Sequence, residues 1–387
     1  MEKKDTAYFL GAGIHTCLGN GLAANLNALR QAPEPPTLHH NELTAEHLQI
    51  PYKFLGDAPL ADPEQQFYKQ VIQVAEQALS EAKLDKQQRA AMALFIGSSS
   101  FDISVFETRY QRELAESQQA LALSQCGIAL LGDYLVQKMG IRGEDYSFNS
   151  ACTGSANALI AAVTQVEAGV IDHALILGVE LHNAVTALGF HALGLLSNSV
   201  MMPFDPARNG MVLGEGISAL IIGRAPNDGL ERFYLRGNAN LSDTFSITAC
   251  NPDGSTVAAV MEEALANAGL LAEQVDCLKA HGTASLSSDE AEAAGMHRVF
   301  SQLPLVCALK PHIGHTLGAC GLNELVLFYR AIESGFIVAT PGISPDKGDL
   351  NITLNQQRHE IFRGNFMLNY FGFGGNNTSL LISNITV

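Results

Sequence analysis

The sequence predicts an α/β fold built from two similar halves related by a pseudo-twofold axis. Three internal correspondences predict it. An amphipathic helix, Phe67 to Ala82, precedes a buried strand ending Ile96-Gly97-Ser98; the helix Thr256 to Gly269 likewise precedes the strand Asp276 to Ala280, which ends in His281-Gly282-Thr283. A strand-to-helix turn at Cys152 has its counterpart at His315, each followed by an apolar helix. The run Gly214 to Ile222 matches Gly374 to Ile382, and Met367 to Phe371 matches Ala174 to Leu177 more loosely. The expected halves are residues 1–225, with the cysteine turn, and 226–387, with both histidine turns. Between them Arg224 to Glu231, with Pro226, Asn227, Asp228 and Gly229, is the best linker.

In chain order, Ala7 to Leu10 reads as a buried strand, and Gly11-Ala12-Gly13 as the turn that ends it. The third glycine of a dinucleotide fingerprint is missing, because Thr16 stands there. Gly21 to Arg30 reads as a helix. Residues 32–66, rich in Pro, His, Asp and Glu, read as a surface excursion. Phe67 to Ala82 places Val71, Val74, Ala78 and Ala82 on one helical face. Ala91 to Ile96 is a buried strand. A loop and polar helix follow within 100–125, then a helix from Ile128 to Lys138.

Tyr146-Ser147-Phe148 alternates like a short strand and leads into Asn149-Ser150-Ala151-Cys152-Thr153-Gly154 and the helix Ala156 to Val166. The strand Ala174 to Leu177 follows, then a short helix near Phe190 to Leu196, and strands at Met211 to Leu213 and Ser218 to Ile222. In the second half, Leu305 to Leu309 is a strand and Leu322 to Ile332 an apolar helix.

Composition narrows the classes. The 387-residue chain is 47% hydrophobic and only 16% charged, so most of it should pack. Lys and Arg total 23 against 39 Asp and Glu, a net charge of −16, which argues against nucleic acid as a partner. The seven cysteines are scattered with no CxxC pair, as expected of a reduced, cytoplasmic protein. Neither a signal peptide nor an apolar run near the ~18 residues of a membrane span is evident.

Three turns carry reactive side chains: Cys152, His281 and His315. The helix after Cys152 offers unpaired N–H groups and a positive dipole end, both of which favour thiolate. A thiolate beside imidazoles is an arrangement for acyl transfer. Lys310 stands five residues before His315, where it can place charge near the imidazoles. The turn Phe371-Gly372-Phe373-Gly374-Gly375 can supply an oxyanion-hole N–H. Taken singly, each has a plain reading: core cysteine, satisfied histidine, solvated lysine, tight glycine turn. Zinc on His281, His312 and His315 is disfavoured, since there is no HExxH spacing and no acidic ligand beside them.

Together these motifs resemble a β-ketoacyl-acyl-carrier-protein synthase of the type II, elongating kind, over essentially the whole chain. The family's nucleophile motif matches Ala151-Cys152-Thr153. Its first histidine motif matches Ala280-His281-Gly282-Thr283, followed by Asp289 and Glu292. Its lysine–histidine motif matches Lys310-Pro311-His312-Ile313-Gly314-His315-Thr316-Leu317-Gly318-Ala319-Cys320-Gly321, followed by Glu324. Its gating loop matches Gly372-Phe373-Gly374-Gly375. The resemblance implies a thiolase-like fold of α-β-α-β-α layers and a decarboxylative Claisen condensation with malonyl-carrier protein. It implies Cys152 as acyl acceptor, His281 and His315 as donors to the malonyl carbonyl, and Lys310 as their orienter. Backbone N–H groups of Cys152 and Phe373 would form the oxyanion hole. Phe190, Phe373 and Gly374 would shape and gate the pocket, with Asp289, Glu292 and Glu324 as supports behind it. No bound cofactor is implied, because the phosphopantetheine arm arrives with the acyl carrier protein.

Two departures stand out. Arg208-Asn209-Gly210 replaces Arg-Asp-Gly, and Gly194 stands where the family carries a basic carrier-docking residue. The segment Gly97-Ser98-Ser99-Ser100-Phe101 replaces a glycine-rich run and, with the short chain, is similar to ketosynthases of aryl polyene clusters. Those work beside a chain-length-factor-like subunit, so a homodimer or such a heterodimer is expected, through the strand around Tyr146 to Phe148. Rival readings are weaker at single positions. A thiolase needs a second cysteine where Phe373 stands, an initiating synthase an asparagine for one histidine, and a non-catalytic chain-length subunit typically lacks the cysteine.

Overall fold

The structure, a computed structural model, describes residues 6–40, 48–117, 130–224, 229–340 and 348–385. The first half comprises β1 (Tyr8–Thr16), β2 (Gly19–Asn20), α1 (Leu22–Ala28), β3 (Thr37–His40), β4 (Gln49–Lys53), α2 (Pro63–Ala82), α3 (Lys86–Ala91) and β5 (Ala93–Gly97). It continues through α4 (Ile103–Ser117), α5 (Leu130–Met139), β6 (Asp145–Phe148), α6 (Gly154–Glu167), β7 (His173–Glu180), α7 (Ala184–Ala192), β8 (Leu213–Gly214) and β9 (Gly216–Gly223). The second half comprises β10 (Tyr234–Ser242), α8 (Ser255–Ala268), β11 (Cys277–Lys279), α9 (Leu286–Val299), β12 (Leu305–Cys307), α10 (Lys310–Ile313), α11 (Cys320–Glu333), β13 (Asn365–Phe371) and β14 (Asn376–Ser383).

The main sheet runs β12-β11-β13-β14-β10-β1-β9-β7-β5-β6. Its two arms mirror each other. In β1-β9-β7-β5-β6 the first two pairings are antiparallel and the last two parallel. In β10-β14-β13-β11-β12 the same sequence of pairings recurs. The arms meet at the pairing of Tyr8 with Tyr234. The correspondences read from the sequence fall at equivalent places: β5 with β11, β7 with β13, β9 with β14, and the Cys152 turn with the His315 turn.

Side-chain alternation makes the layers. On the first arm, Ala174, Ile176, Leu220 and Ile222 face α6 and α11, with Leu322, Leu325 and Phe328 in the same core. Their neighbours Leu175, Leu177, Ala219 and Ile221 face α2 and α5 through Val71, Val74, Ala78 and Leu135. On the second arm Phe366, Leu368 and Ile382 join the middle layer, and Met367 and Leu381 pack on α8 and α9. The order is thus helix, sheet, helix, sheet, helix. The middle helices are sandwiched between sheets, which is why α11 is buried nearly all round. Among the described residues no helix is long and apolar enough to cross a membrane.

Several local expectations are corrected. Gly11-Ala12-Gly13 is not a turn, because β1 continues through it to Thr16. The glycines instead admit α2 against the strand: a Cβ on Gly11 would lie 2.4 Å from the Ala78 carbonyl oxygen, and one on Gly13 2.1 Å from that of Val74. Residues 32–66 are more than a surface excursion. They include β3 and β4, which form a second small sheet with β8 and bury Ile50, Tyr52 and Phe54. The strand expected at Met211 to Leu213 shrinks to β8, with Met211 in an isolated bridge to Leu196. Strand β10 and helix α9 were not anticipated. Residues 118–125, 128–129 and 225–228, parts of two expected helices and of the linker, lie outside the described residues, as does Cys126.

The strand–helix contact gives a direct test. Gly13→Ala is expected to lower unfolding free energy by about 2–3 kcal/mol in urea denaturation. Gly189→Ala, in α7 with nothing within 4 Å of its Cβ, is expected to cost nothing measurable.

Candidate active site

The three reactive turns converge at the ends of the two middle helices. Cys152 lies between β6 and α6, held by a bridge across Ser150 and Cys152, with Ala151 in the left-handed region at φ 49°. That conformation is strained for a residue with a Cβ and sharpens the turn that carries the sulfur. His315 lies between α10 and α11, where its backbone N–H donates to the Val212 carbonyl. His281 follows the short strand β11. The Cys152, His281 and His315 side chains are all buried.

Hydrogen bonds fix both imidazoles. The Leu317 backbone N–H donates to His315 Nδ1 at 3.2 Å, and Lys310 Nζ lies 3.3 Å from His281 Nδ1. Burial, with Lys310 adding its repulsion, pushes both histidines well below their ordinary pKa, so the rings are neutral. A ring that accepts at Nδ1 carries its proton on Nε2. His315 Nε2 therefore presents N–H to Cys152 Sγ, 3.1 Å away, and His281 keeps an Nε2–H for the cavity. The rings lie edge to face with centroids 5.5 Å apart. In this tautomer His315 is a donor toward the sulfur and not its base.

The thiolate expected from the helix start is corrected by burial. Cys152 precedes the N-cap Thr153, and desolvation pushes its thiol up to about 11. Lys310 and the N–H groups of Phe373 and Cys152 act in the other direction without overcoming it. Those two N–H groups converge on the sulfur, which is where an oxyanion on its acyl adduct would need donors.

A buried charge cluster stands behind the imidazoles. Glu324 accepts from Lys310 at 2.7 Å and from Lys279 at 2.6 Å, all three with fully buried side chains. Lys279 also donates to the Asn369 carbonyl and sits 3.7 Å from the centre of the Tyr370 ring. Burial alone would lower Lys310, but the charged, hydrogen-bonded Glu324 holds it above its usual range; for Lys279 burial wins and lowers it. The Glu292 carboxylate also lies within electrostatic reach of both lysines, so two ammonium groups face two carboxylates, and Lys310 is the one that touches an imidazole. Lys279 was not picked out from the sequence; its place as last residue of β11, two before His281, was the available signal.

The remaining supports are carboxylates that hold backbone. Glu292 accepts from the N–H groups of His281 and Gly282 at 2.7 and 2.8 Å. Asp289 accepts from Phe204 and Ala284, and burial pushes it up to about 8. Glu180, also missed, accepts from Ser99, Ser100 and Gly318, tying the loop after β5 to the His315 turn. The Arg208-Asn209-Gly210 segment is folded in: Arg208 is buried and paired with Asp349 and Glu290, and Asn209 accepts from Ser197. His312 turns away from the other two histidines, with Nε2 3.0 Å from the Ala339 carbonyl oxygen.

A cavity of about 40 Å³ joins Cys152, His281 and His315. Phe190 and Phe373 also line it, their rings stacked 5.7 Å apart at 12°. Gly374, next to Phe373, has φ 81°, which a residue with a Cβ rarely adopts. Cys250 lines the same cavity, its thiol pushed up to about 12 by burial, and sequence reasoning did not single it out. Gly194 is exposed just beyond α7, with no basic side chain at that position.

Comparison with known proteins agrees with this fold. A β-ketoacyl synthase from Burkholderia phymatum superposes with a TM-score of 0.84 at 23% identity, covering 99% of this chain and 100% of that one. The ketosynthase ApeO in complex with its chain length factor ApeC from Xenorhabdus doucetiae gives 0.83 at 22%, covering 99% of each. The fold is thiolase-like. The N-terminal domain of beta-ketoacyl synthase matches residues 51–227 and its C-terminal domain residues 234–344, so the chain belongs to the β-ketoacyl synthase family. A putative mitochondrial 3-oxoacyl-[acyl-carrier-protein] synthase of Schizosaccharomyces pombe is 26% identical over 96% of this chain and 97% of its own. Nodulation protein E of Rhizobium meliloti is 32% identical over 64% of this chain and 63% of its own. The protein is an acyltransferase that forms C–C bonds in carrier-protein-dependent fatty acid or polyketide chain elongation.

A buried, protonated thiol predicts its own pH profile. Alkylation of Cys152 by iodoacetamide, followed by peptide mass mapping, should rise about tenfold per pH unit through pH 9 without levelling off. A plateau reached near pH 7 would mean a stabilised thiolate instead.

Proposed function

We propose that Cys152 takes the acyl group and that His281 and His315 drive decarboxylation of the malonyl unit. The observation that carries this is the pair of neutral imidazoles lining one cavity with Cys152, His315 Nε2 at 3.1 Å from its sulfur and the His281 ring 5.5 Å from that of His315. Cys152 Sγ attacks the acyl-carrier thioester, and the departing carrier thiolate takes up the proton that the cysteine gives away. The N–H groups of Cys152 and Phe373 hold the oxyanion of the tetrahedral intermediate. Malonyl-carrier protein then binds with its thioester oxygen between the two Nε2–H donors. As CO₂ leaves, negative charge grows on that oxygen, and the Lys310 ammonium against the far nitrogen of His281 favours it. The enolate carbon attacks the acyl-cysteine carbonyl, and collapse expels the Cys152 thiolate. The phosphopantetheine arm belongs to the carrier, and the chain supplies only its binding path.

Phe373 gates the reaction order. Stacked on Phe190, it keeps the cavity too small for an acyl chain, and the glycines around it let the loop move. Glu292 acts by holding the His281 backbone, Asp289 by tying Phe204 to Ala284, and Glu324 by holding the lysines. The organisation follows from these roles: residues 1–225 supply the nucleophile, and 226–387 supply the imidazoles and the gate.

Substitution separates the half-reactions. Cys152→Ala should abolish acyl-enzyme formation by intact mass while the protein stays folded; acylation persisting on another cysteine rejects the assignment. His281→Ala and His315→Ala should still load acyl groups in part yet condense at least about 100-fold more slowly. Near-normal condensation by both would make them structural residues.

A dimer through β6 completes the reading. This strand ends the sheet order, and no pairing beyond it exists among the described residues. An unpaired edge is an aggregation liability that a second subunit removes. The serine-rich segment Ser98-Ser99-Ser100 fits the aryl polyene type, and two structural neighbours are titled as ketosynthases with chain length factors. The partner is therefore a chain-length-factor-like subunit, with a homodimer as the second reading. Native mass spectrometry of the chain alone and co-expressed with its neighbouring gene product tests this. A fully active monomer refutes the dimer, and an active homodimer refutes only the heterodimer.

A further inference from the structure

The rim of the active-site cavity is apolar where a charged docking patch would be expected. The cavity opens from buried Cys152 toward the exposed residues Thr248 and Ser287, so a carrier's arm enters there. Three segments surround this mouth, and each places an apolar side chain in solvent. Ile247 is 80% exposed, and its carbonyl accepts from the Gly374 N–H at 2.7 Å, which fixes it beside the Phe373 loop. Leu286, 59% exposed, stands between the lining residues Ser285 and Ser287. Leu193, 56% exposed, stands two residues before the lining residue Leu195 and directly before Gly194. Scattered exposed leucines need no explanation, but three around one opening do.

Charge does not compensate. Among the described residues no Lys or Arg lines the cavity, and the two histidines in it are neutral. The loop carrying Arg208 reaches the rim, where Gly210 N–H donates to the Ala284 carbonyl, but Arg208 is buried and spent on Asp349 and Glu290. With a chain charge of −16, long-range attraction of an acidic carrier is unfavourable.

Resting on the functional reading above, we infer that Ile247, Leu286 and Leu193 form an apolar docking rim for the acyl carrier protein, so that carrier recognition depends on short-range burial and not on salt bridges. Such contacts are nearly insensitive to ionic strength, whereas charge-steered docking weakens steeply with salt.

The test compares malonyl-carrier protein with malonyl-pantetheine, which lacks the carrier, on the assembled enzyme. Between about 50 and about 500 mM salt, KM for the carrier substrate should change less than about twofold. Ile247→Ser and Leu286→Ser should each raise that KM about five- to tenfold, with kinetics on malonyl-pantetheine unchanged and Ile247→Val restoring the parent value. A tenfold rise in KM with salt, or serine variants that leave carrier KM unchanged, overturns the rim. Serine variants impaired equally on both substrates overturn it too, by showing damage to the site. Failure of the parent enzyme on both substrates overturns the functional reading and the rim with it.

Discussion

Everything at the site depends on how closely the starts of α6 and α11 approach each other. A Cβ on Gly321 would lie 2.4 Å from the Ala156 nitrogen, and one on Gly318 2.2 Å from that of Ser99. Leu322 N–H donates to Ser155 Oγ across the same contact, and the Cys320 thiol donates to the Cys152 carbonyl at 3.0 Å. Backbone-to-backbone packing at this distance leaves each turn one place to go. It sets Cys152 Sγ at hydrogen-bond distance from a ring 163 residues away. Small residues at the contact are therefore as much a part of the chemistry as the imidazoles.

The second constraint is electrostatic. Burying two lysines on one carboxylate is costly unless every charge is bonded, and here each is. The return is a Lys310 ammonium fixed in a dry site 3.3 Å from His281 Nδ1, where it holds the ring that faces the reaction. The same dryness keeps the imidazoles neutral and the thiol protonated at rest. Burial and lysine charge thus act in opposition on Cys152: one holds the ground state neutral, and the other eases the charged species formed on the way.

Much of this was legible in the sequence because the fold is duplicated. Matching strand-to-helix turns in the two halves located Cys152 and His315, and glycine-led strands located β9 and β14. Elements without a counterpart signal were lost. Strand β10 mixes Arg236, Gly237, Asn238 and Asn240 with apolar residues and was passed over, although it joins the two arms. The pair Gly11 and Gly13 reads locally as a turn because glycine is conformationally free. In the fold its value lies in the missing Cβ that lets α2 reach the strand.

The order of amino acids is enough to specify which side chains are chemically capable and which turns carry them, since residue type and hydrophobic period are local properties. It did not determine charge state. A helix start argues for thiolate, but the energy of an ion depends on everything within several ångströms, and only the packed structure shows that burial outweighs the helix and Lys310. Nor did it determine tautomer, because the proton on each Nε2 follows from donors at Leu317 and Lys310 whose directions toward the rings are set only by the folded backbone of the second half. Lys279 and Glu180 escaped notice for the same reason: their partners, Glu324 and the Ser99–Gly318 pair, are brought to them by tertiary contact alone.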